Sequence, residues 1–81
     1  MKLEIFDVAH GACALLTCDD GRIVMIDCAS NPETGWQPGE SLKRRGYATL
    51  DGLFITNYDE DHARGLPRLL ECVTVTTLWR N

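Results

Sequence analysis

An apolar run, Leu53-Phe54-Ile55, leads straight into a polar cluster, Thr56-Asn57-Tyr58-Asp59-Glu60-Asp61-His62. From Asn57 onward, six residues carry three carboxylates, an amide and an imidazole. Gly65, Leu66 and Pro67 then open a short helical pattern. A strand that ends in such a cluster is how α/β proteins present a site at the carboxyl edge of a sheet. Carboxylates this close repel one another unless a cation sits among them, so the run predicts a metal-binding loop. Taken alone, an acidic turn also suits a solvated surface with His62 merely starting the helix, and the run leaves both readings open. A calcium loop of the EF-hand type does not fit. Asn57, Asp59 and Asp61 take its first, third and fifth positions, but His62 stands where glycine is needed and Arg68 where glutamate is needed.

The rest of the chain supplies a sheet to carry that loop. Leu3 to Val8 alternates as a strand, and Ala9-His10-Gly11 makes a turn in which Gly11 is free to take positive φ. Ala12 to Cys18 and Arg22 to Cys28 read as two further strands joined by Asp19-Asp20-Gly21, a hairpin signal. The continuous run Ile23-Val24-Met25-Ile26 suits a strand covered on both faces. Ser30 to Gly39 is a loop in which Trp36 is expected as a buried anchor. Pro38 can start a helix to about Arg45, with Gly46 as its stop. Leu50 to Thr56 is a fourth strand, Pro67 to Glu71 a short helix, and Val73 to Trp79 a fifth strand. The order β-β-β-α-β-loop-α-β predicts an α+β fold, with a mixed sheet and helices on one face. The three N-terminal strands should form an antiparallel meander, with the strand ending at Thr56 beside the third.

At 81 residues there is room for one small domain, which buries only about 60% of its extended surface and gains from a metal or a partner. The net charge of −4 does not indicate nucleic acid as a partner, and Lys43-Arg44-Arg45 reads as a solvated helix face. Cys13, Cys18, Cys28 and Cys72 include no pair at redox or zinc-knuckle spacing, so reduced structural thiols are expected. No signal core or membrane-length apolar run is present in the sequence, and a cytoplasmic location is expected.

Three segments carry a resemblance. Thr56-Asn57-Tyr58-Asp59-Glu60-Asp61-His62-Ala63-Arg64-Gly65 resembles the T-H-x-H-x-D-H-x-x-G metal loop of the metallo-β-lactamase fold superfamily. Phe6 to Leu16 resembles that family's F-x-V-G-x-G-D-x-x-L-I opening, and Ile26-Asp27-Cys28-Ala29 its I-D-x-G strand end. An Asp at the second His position resembles the branch containing the hydrolase-like domain of bacterial DNA-uptake competence proteins. The resemblance implies an αββα sandwich and a metal-dependent hydrolase. One or two divalent ions, zinc or manganese with magnesium also accepted, would activate water against an ester, amide or phosphodiester. It implies Asn57, Asp59, Asp61 and His62 as metal ligands, Asp61 as catalytic, and Asp27 and Thr56 behind the ligands, orienting them.

The departures shape the expectation. Asn57 and Asp59 replace imidazoles and shift the ligand set towards oxygen, which suits hard cations. Ala9 and Ala29 stand where relatives have Gly, and Ala12 where many have Asp. The family places further His and Asp ligands and a second αβ half after this loop, so residues 1–81 are expected to be the N-terminal portion of a longer domain, inactive by itself. The alternatives are a catalytically degraded module kept for binding, or a fragment completed by a partner chain. Self-association, or completion by the missing C-terminal half, is the partner expectation, because the sheet would otherwise leave apolar surface uncovered.

Overall fold

The computed structural model describes residues 1–9, 11–57 and 63–80. Asp59, Asp61 and His62, with His10, Tyr58 and Glu60, lie outside the described residues. Three N-terminal strands, β1 (Lys2–Ile5), β2 (Cys13–Thr17) and β3 (Ile23–Cys28), form the expected antiparallel meander. The Asp19-Asp20-Gly21 turn closes its second hairpin, with Gly21 at φ +92° and the Asp20 carboxylate accepting the Arg22 N–H at 3.0 Å. Gly11 takes the expected positive φ, at +100°.

Helix α1 (Pro38–Arg44) begins on proline, carries Glu40 in its first turn and Lys43 and Arg44 in its last, and stops at Gly46 with φ +90°. After it come β4 (Thr49–Leu50), β5 (Gly52–Ile55), helix α2 (Leu66–Cys72), β6 (Thr74–Val75) and β7 (Leu78–Arg80). The main sheet has the order β1-β2-β3-β5-β7, in which β5 lies parallel to β3 and β7 parallel to β5. The fold is therefore α+β, with a mixed sheet and two helices.

The fourth and fifth expected strands are each broken in two. Leu50 to Thr56 divides at Asp51, and Val73 to Trp79 divides at Thr76, so β4 and β6 pair as a separate two-stranded sheet. The cause is hydrogen bonding at the bend. Asp51 exchanges bonds with the backbone of Ile23, accepting its N–H on Oδ2 at 2.9 Å and donating its own N–H to the Ile23 carbonyl at 3.0 Å. The Thr76 hydroxyl donates to the Asp51 carbonyl at 2.7 Å. Period-2 patterning is blind to such a kink because it does not alter side-chain alternation. β1 also stops at Ile5, short of the expected Val8.

The sheet has two unlike faces. On one, Leu15, Ile23, Met25, Leu53 and Ile55 are buried in one cluster with Leu42 of α1 and Leu69 of α2. The two helices meet closely, since a Cβ on Gly39 would stand 2.7 Å from the Leu69 Cα. On the other face the register aligns Leu3, Ile5, Ala14, Leu16, Val24, Ile26, Gly52, Phe54 and Trp79. Of these nine, Leu3, Ile5, Ile26, Phe54 and Trp79 are exposed, Ala14, Leu16 and Val24 are half-buried, and Gly52 is buried against the Trp79 ring. Trp36 is half-buried rather than fully so, its ring 4.9 Å from that of Phe6 at an edge of the core.

Candidate functional site at the carboxyl ends of β3 and β5

Parallel neighbours bring their carboxyl ends to the same side of a sheet, so β3 delivers Asp27 next to Thr56, which follows β5. Asp27 is 3% exposed and sits at φ +56°, in the left-handed region that non-glycine residues seldom occupy. Its carboxylate grips Thr56 twice, Oδ1 accepting the backbone N–H at 2.8 Å and Oδ2 the hydroxyl at 2.7 Å. Hydrogen bonds to an ionised acceptor are the stronger kind, and together they oppose the cost of the backbone conformation.

The far end of the loop is tied to the next residue of the same strand. Gly65 donates its N–H to the Cys28 carbonyl at 2.9 Å. A Cβ at Gly65 would lie 2.4 Å from that oxygen and 2.9 Å from the Pro38 ring, so only glycine fits. Asp27 and Cys28 thus hold both ends of the stretch from Thr56 to Gly65, the one through a side chain and the other through its carbonyl. The first candidate ligand, Asn57, is exposed and directly follows the gripped Thr56. The candidate ligands Asp59, Asp61 and His62 lie outside the described residues. Among the described residues no group of three His, Cys, Asp or Glu side chains comes together to hold a metal ion.

A second polar support stands beside this end of the sheet. Asn31 is buried, donates to the Asp7 carbonyl at 3.2 Å, and accepts the N–H groups of Glu33 and Thr34 at 2.9 and 3.4 Å. Asp7 in turn accepts the Ala9 N–H at 3.1 Å, and Ala9 has φ +66°. Ala9 thus holds a left-handed backbone with its N–H tied to the Asp7 carboxylate. Asn31 was visible in the sequence only as loop composition. An Asn followed by Pro is a turn signal, but nothing in it names Asp7 as the partner. The Gln37 side-chain oxygen, just before the Pro38 that packs on Gly65, is buried with no hydrogen-bond partner among the described residues.

The thiols belong to the core. All four are free; Cys13 and Cys28 face each other across β2 and β3, and the Cys13 thiol lies 3.9 Å from the Met25 sulfur. Burial pushes the Cys28 thiol up to about 12, with the Asp27 charge adding to it, and raises Cys13 for the same first reason. Such thiols are poor nucleophiles and poor metal ligands at neutral pH. Searches against protein-family models, curated proteins and solved structures gave no match to this chain.

Proposed function

We propose that the chain is the N-terminal portion of a metal-dependent hydrolase of the metallo-β-lactamase fold, acting on an ester, amide or phosphodiester. The observation that supports this reading is the double grip of Asp27 on Thr56. A buried, conformationally strained carboxylate is spent on holding the first residue of the loop that carries the candidate ligands, which a mere solvated turn would not need. The donor set fits a divalent cation. Asn57, Asp59 and Asp61 offer oxygen and His62 one nitrogen, which suits manganese or magnesium as readily as zinc. An ion bound there would supply Lewis acidity and lower the pKa of water. Asp27 and Thr56 position the loop, Gly65 closes it, and Asp61 is the proposed catalytic carboxylate. The second reading, a degraded module kept for binding, is favoured by Asn57, whose amide is a weaker ligand than imidazole.

The test is calorimetric titration of the 81-residue chain with manganese and with zinc, beside Asp61→Ala and Asp27→Ala. Weak binding is expected, lost in Asp61→Ala and reduced about tenfold or more in Asp27→Ala, the usual effect of removing a group that orients ligands. Tight zinc binding indifferent to Asp61→Ala would sink the site. Hydrolysis by the short chain is expected to stay near background.

A further inference from the structure

We propose that Cys13 and Cys28 are a disulfide site, whose state is set while the chain folds and is then locked in by the core. The proposal stands on the sheet register and is independent of the metal chemistry. Of the four cysteines, only these two stand opposite one another in neighbouring strands. Directly opposed residues of an antiparallel pair have their Cα atoms about 4.5–5.5 Å apart, inside the roughly 4.4–6.8 Å that a disulfide spans. A bulge puts both side chains on the same face. Ala14 pairs with Ile26 and Cys13 with Cys28, so the ladder skips Asp27. Asp27 takes the left-handed backbone that such an extra residue adopts, at φ +56°. Strict alternation would send Cys28 to the exposed side with Ile26. The bulge turns it into the core instead, where Cys28 is 0% and Cys13 1% exposed. The Cys13 thiol leans on the Met25 sulfur, 3.9 Å away, and a turn about its χ1 exchanges that contact for Cys28.

The reaction is thiol–disulfide exchange with a small disulfide such as oxidised glutathione. One cysteine thiolate attacks the small disulfide, breaks its S–S bond and releases one glutathione thiolate. The other cysteine thiolate attacks the protein sulfur of the mixed disulfide, forms the Cys13–Cys28 bond and releases the second glutathione thiolate. The two cysteines lose two electrons, one glutathione disulfide gains them, and the two thiol protons end on the two released glutathiones. In the folded chain the first step is closed, because both sulfurs are buried and burial keeps them protonated. The same burial keeps a reductant from the finished bond. Exchange therefore runs only while the strands are apart, and the folded chain keeps the state in which it folded. Cys28 also supplies the carbonyl that holds Gly65, so the bond fastens β2 to the strand end that anchors the loop.

A chain with Cys18→Ser and Cys72→Ser, which keeps only the proposed pair, tests the proposal. One sample is unfolded, reduced and refolded in a buffer of reduced and oxidised glutathione. A second is folded reduced before it enters the same buffer. Intact-mass spectrometry should show the loss of two hydrogens in the first sample, and in the second no change until denaturant is added. The linked chain should unfold about 10 °C or more above the reduced one, because the bond closes a loop of about 15 residues in the unfolded chain. Far-UV circular dichroism checks that the two forms share one fold, and adding Cys28→Ala should abolish the linked species. A refolded chain that stays reduced, or that carries glutathione on either cysteine, overturns the proposal. So does a linked chain with a lowered midpoint, or a folded reduced chain that links as fast as the unfolded one.

Discussion

Asp27 shows how much one residue can decide at a strand end. An Asp ending an apolar strand reads locally as a polar terminus, and its orienting role was only what the resemblance implied. Its left-handed backbone and its two bonds to Thr56 depend on β5 arriving parallel to β3, which no local signal encodes. Glu4 makes the complementary case on the helix side. It alternates to the helix-facing side of β1 and accepts the Arg45 guanidinium at 2.8 Å, tying the first strand to the end of α1. That hydrogen bond holds the Glu4 carboxyl below its ordinary 4.5. The folded form thus keeps the charge better than the unfolded form does. The bridge contributes fully above about pH 4.5, and its contribution is lost as pH falls through the lowered folded value. Because both side chains are partly exposed, the contribution is about 0.5 kcal/mol. Glu4→Gln should therefore be less stable than the parent by about that much at pH 7, by denaturant titration. At pH 3 the gap should shrink, and an unchanged gap would remove the ion pair from the account.

At the scale of elements, glycines show that space and backbone conformation are separate demands. Gly65 has no room, with the Cys28 carbonyl 2.4 Å from any added Cβ. Gly46 has open space but φ +90°. Gly65→Ala should cost about 2–3 kcal/mol through overpacking and push the loop end away from β3. Gly46→Ala should cost about 1 kcal/mol through left-handed strain alone. Guanidinium unfolding midpoints of the two variants would order them, and a Gly65→Ala midpoint equal to the parent would contradict the tight loop closure. The divided strands belong to this scale as well. β5 and β7 carry the main sheet while β4 and β6 pair separately, because Asp51 and Thr76 turn the chain between them.

For the whole molecule, the decisive fact is that the core of the described residues lies on one side of the sheet. The radius of gyration, 11.4 Å, matches the roughly 12 Å of a folded chain of this length. No helix among the described residues is long and apolar enough to cross a membrane. Cys13 and Cys28 lie inside that core, whereas Cys18 and Cys72 are partly exposed. A thiol reagent at pH 8 should thus react promptly with two thiols of the folded chain and with all four in denaturant. Modification of the slow pair should keep pace with global unfolding, since burial raises their pKa and blocks access. Four equally fast thiols would mean that the core opens locally.

The meander, the hairpin turn at Gly21, the span of α1 and its glycine stop were legible in the residues, because alternation, turn chemistry and helix capping act over a few neighbours. The α+β class followed from the order of those elements. The expectation of a metal-binding loop was also read locally, from carboxylates and an imidazole crowded into six residues, whereas the set of candidate ligands rested on the resemblance. Tertiary structure decided how the Asp27 carboxylate holds Thr56, why Gly65 admits no side chain, and where the fourth and fifth strands break. It also decided that Leu3, Ile5, Ile26, Phe54 and Trp79 share one face of the sheet, where each is exposed. Each of these depends on residues distant in the chain meeting at one register, and register is set by the sum of the core contacts rather than by any single stretch.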